Sequence, residues 1–188
     1  MKPQTRIKLV IVDLDNTLLK TDSFRLFLNT QLKTKPLRVL FFKSARKLRL
    51  ITLSTLKYLS VRYLYNLLTN NEKQIFINSL KERINRDIYN GVNNKYSDEY
   101  KIIILSASPD EYVKEFAKEI GWDGYGSYYD GETGKYNHLH GTGKIDFVKK
   151  YFPPNRYSYT YAISDSPSDV PLLKMFDTYD LLENASHG

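Results

Sequence analysis

The sequence predicts an α/β protein: a parallel sheet with a helical insert after its first strand–helix unit. Short apolar runs, Ile7 to Val12, Lys101 to Leu105 and Tyr157 to Ile163, read as buried strands. Each is followed by a stretch with helical signals, and strands alternating with helices argue a parallel sheet. Between the first and second units, residues 35–95 read as helices only. The expected division is a core of residues 1–34 and 96–188 and a helical cap of residues 35–95.

Taken in order, the first strand ends at Val12 and leads into Asp13-Leu14-Asp15-Asn16-Thr17-Leu18-Leu19. Asp22 stands where it would cap a helix carrying Phe24, Phe27, Leu28 and Leu32 at helical spacing, which Pro36 interrupts. In the insert, Leu53, Leu56, Leu59, Leu64, Leu67 and Leu68 recur at helical spacings, with Asn70-Asn71 and Asn90-Gly91 as expected breaks. The second strand ends at Ser106-Ala107-Ser108-Pro109. Pro109 is placed to start a helix, with Ser108 as its cap and Gly121 as its stop. Tyr125 to Tyr129 and Lys135 to His138 flank Asp130-Gly131-Glu132-Thr133-Gly134 as a hairpin. Gly141-Thr142-Gly143-Lys144 opens a helix that Pro153-Pro154 ends. The third strand leads into Ser164-Asp165-Ser166-Pro167-Ser168-Asp169, a helix from Pro167 to Met175, and a short strand near Thr178 to Leu182.

With 188 residues and no cysteine, the chain has room for a core with a sizeable insert and excludes disulfides, thiolate metal sites and a cysteine nucleophile. No secretory signal is read ahead of the first strand, and no uncharged apolar run reaches the ~18 residues of a membrane span. A cytoplasmic location is expected, with peripheral contact at a membrane in view. The net charge is +7, from 28 basic and 21 acidic residues. Arg25, Lys33, Lys35, Arg38, Lys43, Arg46, Lys47, Arg49, Lys57 and Arg62 fall between Ser23 and Asn71, a stretch with no acidic residue. That basic cap, interleaved with Leu, Phe and Tyr, suits an anionic membrane surface; scattered Lys and Arg also suit a merely solvated face. No motif for specific nucleic-acid recognition is present.

Polar clusters stand at the predicted strand ends and helix starts. Ligands bind outside the carboxyl ends of strands in such sheets, and there stand Asp13 and Asp15. Two anions this close repel unless a cation or proton is shared between them. That pattern suits magnesium-assisted phosphoryl transfer, with one Asp attacking and the other handling a proton. Taken singly, Ser106 also reads as a capping hydroxyl, Asp165 and Asp169 as a loop and helix-cap pair, and Lys144 as a surface lysine. His138 and His140 read as surface histidines. The Gly141 to Lys144 string lacks the spacing of a phosphate-binding loop.

As an ordered set, Asp13-x-Asp15-x-Thr17, strand-terminal Ser106, Lys144 and the Asp165/Asp169 pair resemble the four motifs of the haloacid dehalogenase superfamily of phosphohydrolases. The phrase from Asp13 to Phe24, Leu105 to Pro109, and Ser164 to Leu173 are similar to the branch containing phosphoserine phosphatases and the bacterial phosphatidylglycerophosphatase C type (subfamily IB). The resemblance spans nearly the whole chain and implies a Rossmann-like core with a cap between the first and second motifs. It implies that Asp13 attacks phosphorus and forms an aspartyl-phosphate. Asp15 would protonate the leaving alcohol and then activate water. Asp13, Asp165 and the backbone carbonyl of Asp15 would bind Mg²⁺, with Asp169 orienting that shell or pairing with Lys144. Ser106, Lys144 and Thr17 would hold the phosphoryl group. Asp15 favours a phosphatase over a dehalogenase or an ion-pumping ATPase. Asn16 replaces a common Gly. Asp22 stands where serine-specific relatives place Glu, so it is a candidate specificity residue.

The expected reaction is Mg²⁺-dependent phosphomonoester hydrolysis, with a lipid-linked phosphate such as phosphatidylglycerophosphate as leading substrate. The alternatives are a small soluble phosphomonoester such as phosphoserine, or a non-catalytic anion- or membrane-binding protein on the same fold.

Overall fold

The computed structural model describes residues 6–96 and 99–183; the N-terminal lead, residues 1–5, lies outside them. Six strands form one sheet in the order β4-β3-β2-β1-β5-β6. They are β1 (Ile7–Val12), β2 (Tyr100–Pro109), β3 (Asp123–Asp130), β4 (Lys135–Asn137), β5 (Tyr157–Ser164) and β6 (Thr178–Leu181). All neighbours are parallel except β3 and β4, which form the expected hairpin. The central strand β1 is covered on both faces, so it reads as a continuous apolar run. Val12 pairs with Ile104 of β2 and Ile163 of β5, so the residues that follow these three positions lie side by side at one edge of the sheet.

Helix α1 (Ser23–Thr34) is capped by Asp22, whose carboxylate accepts from Arg25 N at 2.7 Å. The insert comprises α2 (Pro36–Lys47), α3 (Leu53–Tyr63), a tight turn at Tyr65–Leu67, α4 (Asn70–Lys81) and α5 (Arg86–Lys95). Three further helices follow: α6 (Asp110–Glu119), α7 (Thr142–Tyr151) and the short α8 (Val170–Leu173).

The insert shares a hydrophobic core with the sheet. Phe27 of α1 and Phe76 of α4 pack edge-on against Tyr65, and Tyr112 of α6 packs edge-on against Phe76, with Phe27–Phe76 and Phe76–Tyr112 centroids each 5.4 Å apart. Such pairs contribute about 0.5–1.5 kcal/mol each beyond burial. A second cluster on the opposite sheet face joins Leu9, Ile11, Ile103 and Leu105 to Phe147 and Leu172.

Several boundaries differ from expectation. Asn70-Asn71 opens α4 rather than breaking a helix, because Thr69 and Glu72 form a reciprocal cap. Asn90-Gly91 lies inside α5. A helical Gly costs about 1 kcal/mol relative to Ala, and here the burial of Val92 and Tyr96 offsets it. Helix α6 starts at Asp110, not Pro109, because Ser108 and Pro109 remain in β2, with Pro109 paired to Ser127. The expected helix from Pro167 to Met175 splits into a tight turn at Pro167–Asp169 and α8. Pro171 has no N–H to donate back to Pro167, so one continuous helix cannot form.

Candidate active site

Asp13 is the first residue beyond β1, and its N–H donates to Ile163 O at 2.9 Å. The chain then turns through Leu14–Leu18, with Asn16 in the left-handed region at φ +55°, a conformation Asn tolerates better than most residues. The turn brings Thr17 back beneath Asp13. Thr17 is fully buried, and its hydroxyl lies 3.4 Å from both Asp13 Oδ2 and Asp165 Oδ1. Asp165 N–H donates to the same hydroxyl at 2.9 Å. One side chain thus ties the carboxylate at the end of β1 to the carboxylate after β5.

Lys144 approaches from the first turn of α7. Its ammonium bridges Asp13 Oδ1 at 2.6 Å and Asp169 Oδ2 at 2.5 Å, with Lys144 3% exposed. Of the two arrangements expected for Asp169, this is the ion pair. Ser164 Oγ fixes Asp169 by donating to the same carboxylate oxygen at 2.8 Å. The glycines of Gly141-Thr142-Gly143 place this lysine. Gly141 has φ +53°, and a Cβ on Gly143 would lie 2.5 Å from His138 O. The string is therefore a close-packing device at the start of α7.

Asp15 has its own partners. Its carboxylate accepts from Ser23 N–H at 2.7 Å and from Ser108 Oγ at 2.6 Å, with Ser106 Oγ 3.5 Å away. Ser23, Ser108 and Tyr112 continue this buried hydroxyl chain through contacts of 3.0 and 3.2 Å. Ser108 is therefore an Asp15 partner, not the helix cap expected from the sequence. Ser106 is fully buried, and its hydroxyl also accepts from Ser108 N–H at 3.0 Å. Asp13 and Asp15, two positions apart, thus sit in different environments, the former with a cation and the latter with hydroxyls.

Burial pushes the Asp13 carboxyl up to about 7; Lys144 opposes the shift and Asp169 reinforces it. Burial alone would lower Lys144, but Asp13 and Asp169 outweigh it and hold the ammonium above its ordinary range. The two shifts have different causes: desolvation dominates at Asp13, and the charges of the two carboxylates dominate at Lys144. Asp15 is also raised by burial, against the hydrogen bonds from Ser108 and Ser23.

The insert contributes Lys57 of α3. It is 6% exposed, and its ammonium donates to Ala107 O at 2.7 Å, between Ser106 and Ser108. Among the described residues no carboxylate lies within ion-pair distance of it. Burial lowers its affinity for a proton, while Asp15 and Asp22 raise it. His138 follows β4 and faces the same junction. It differs from the expected surface histidine: it is half-buried, its Nε2 has no partner among the described residues, and it stacks on His140. Burial lowers it to about 4, reinforced by Lys57 and His140, so it is neutral near pH 7. Lys57, Ser108, Ser23, Ser164 and Tyr112 had no site role in the sequence reading.

Mg²⁺ takes one or two carboxylates and keeps several waters. Asp13 and Asp165, held edge to edge by Thr17, fit that habit. The excess of buried carboxylate over ammonium also calls for a cation.

Residues 10–174 match the family model of the haloacid dehalogenase-like hydrolases, and the chain belongs to that family. No curated protein matches the sequence at a significant level. Among solved structures, a protein with unknown function from Bordetella pertussis Tohama I is similar at TM-score 0.68 and 17% identity, covering 90% of this chain and 87% of that one. A phosphoserine phosphatase in apo form gives TM-score 0.60 at 14% identity, covering 93% and 85%. A substrate-bound phosphoserine phosphatase complex gives 0.56 at 15% identity, covering 94% and 93%. At such identities the likeness is one of fold.

Proposed function

We propose that this protein is a Mg²⁺-dependent phosphomonoesterase that works through an aspartyl-phosphate on Asp13. The observation that carries the reading is the separation of two carboxylates, the buried Asp13 and the partly buried Asp15. Asp13 is clamped by Lys144 beside Asp165, while Asp15 is held apart by Ser23 and Ser108. One carboxylate is set to attack and the other to exchange a proton.

In the first half-reaction Asp13 forms a bond to phosphorus, and the ester oxygen departs with the proton of Asp15. Burial suits Asp15 to carrying that proton. In the second, Asp15 takes a proton from water as the water attacks phosphorus, which frees phosphate and restores Asp13. Lys144 and Ser106 hold phosphoryl oxygens, and Thr17 keeps Asp13 and Asp165 in register. Asp13, Asp165 and the Asp15 carbonyl would hold Mg²⁺, which would supply positive charge against the repulsion between carboxylate and phosphate.

Lys57 supplies positive charge on the Asp15 side, where the leaving group departs. The substrate class that suits it carries a second anion on the alcohol. A lipid-linked phosphate such as phosphatidylglycerophosphate is the leading candidate, acted on by a cytoplasmic enzyme at the membrane surface. Among the described residues no helix is long and apolar enough to cross a membrane. Phosphoserine is the second reading, favoured by the phosphoserine phosphatases among the similar folds. Phosphate release across lipid and soluble phosphomonoesters, with and without Mg²⁺, tests both. Absence of turnover on every phosphomonoester would leave the non-catalytic reading.

A further inference from the structure

The insert carries a surface that the chemistry at the strand ends does not use. Leu37, Leu40, Phe41, Leu48 and Leu50 are between 51% and 83% exposed. Single exposed leucines are ordinary, whereas a contiguous group of large ones marks an interaction surface. Helix α2 is apolar on two sides. Val39 and Phe42 are buried against the protein. At the helical advance of about 100° per residue, Leu37, Leu40, Phe41 and Leu48 fall within one outward arc about 100° wide. Arg38 flanks that arc on one side and Lys47 on the other.

The turn after α2 extends this face. Arg49 has φ +60°, Arg49 N–H donates to Arg46 O at 3.0 Å, and Leu50 N–H donates to Ala45 O at 2.9 Å. This closure commonly seats the residue after the left-handed position on the helix, yet Leu50 stays exposed. Lys47 and Arg49 are exposed beside it.

We propose that this face docks on an anionic lipid bilayer. The outward apolar side chains of α2 and its turn enter the boundary between headgroups and acyl chains, while Arg38, Lys47 and Arg49 meet the lipid anions. Charge selects this occupant. A second copy would bring like charges face to face, because the stretch from Ser23 to Asn71 has no acidic residue. A nucleic acid would satisfy the cations and leave the leucines in water. A bilayer satisfies both. Helix α2 packs against α3, the helix that carries Lys57. The consequence for substrate choice rests on the phosphomonoesterase reading, but the docking does not.

The test is co-sedimentation of the full chain with phosphatidylcholine vesicles, with and without phosphatidylglycerol, in the absence of substrate. Wild type binds the anionic vesicles and is released by salt. Each basic residue near such a surface strengthens binding about fivefold, so the triple variant Arg38→Gln, Lys47→Gln, Arg49→Gln loses about a hundredfold. The triple variant Leu37→Ser, Phe41→Ser, Leu48→Ser keeps the charge and also loses about a hundredfold. Tryptophan emission of Phe41→Trp is quenched by lipids brominated in the acyl chains. Turnover of p-nitrophenyl phosphate, run in parallel, stays unchanged in both triple variants, so failure of docking and failure of the phosphatase reading are told apart. Indifference of wild type to anionic vesicles at low salt overturns the proposal. So does binding that survives the apolar triple, or a solution dimer that the apolar triple dissociates.

Discussion

Lys144 Nζ lies 2.6 Å from Asp13 Oδ1 and 2.5 Å from Asp169 Oδ2, so one ammonium joins the exit of β1 to the turn after β5. Removing one partner of a buried pair strands the other charges and typically costs about 3–5 kcal/mol. Lys144→Met should therefore lower the melting temperature in EDTA by on the order of 10 °C and abolish turnover. Adding Asp169→Asn should recover much of the stability and none of the turnover. A single variant that melts like wild type would show that the clamp contributes little to folding.

Asp15→Asn separates proton transfer from positioning. The amide can still accept from Ser23 N–H but cannot supply a proton. Attack on alkyl phosphates should slow by about a hundredfold or more, and attack on p-nitrophenyl phosphate far less, since that leaving group needs little protonation. Equal losses on both substrates would assign Asp15 to holding the fold.

Lys57→Gln should raise KM more than it lowers kcat on substrates whose alcohol carries a second anion. It should leave KM for p-nitrophenyl phosphate nearly unchanged, and Lys57→Arg should restore part of the loss. A carboxylate-bearing and a phosphodiester-bearing substrate, compared side by side, show which anion it reads. A uniform fall in kcat on all substrates would mean that Lys57 only braces Ala107.

The pH behaviour follows from Asp13. In the metal-free protein its carboxyl is raised to about 7, against an ordinary 3.8. Between those values the unfolded chain has lost a proton that the folded chain keeps. Stability in EDTA should therefore fall as pH rises from about 4 to about 7 and level off above. A bound cation needs the carboxylate form, so Mg²⁺ binding should release close to one proton near pH 6 and few near pH 8. Calorimetry in buffers of different ionisation enthalpy counts that proton; equal release at both pH values would place Asp13 outside the metal site.

Much of the fold and the candidate site was legible because it is local. Apolar runs mark the strands, and Asp13 and Asp165 follow theirs directly; Ser106, expected at a strand end, stands inside β2, which continues to Pro109. The partner network was not legible, because it joins hydroxyls far apart in sequence: Ser23 to Ser108, and both to Asp15. Ser108 read as a helix cap since capping is the common use of a serine before a helix, and a tertiary contact claimed it instead. Lys57 was one of ten cations between Ser23 and Asn71, and only packing against Ala107 singles it out. The outward face of α2 escaped notice for the opposite reason. Leucines at helical spacing ordinarily belong to a core, and which side of a helix meets it is set by the neighbours.

The most direct test of the central claim is mass spectrometry of acid-quenched enzyme during turnover of a phosphomonoester with Mg²⁺. The account predicts a phosphoryl group on the peptide containing Asp13, absent in Asp13→Asn and absent when EDTA is added. Undiminished turnover by Asp13→Asn, or a phosphoryl group found on another residue, would contradict it.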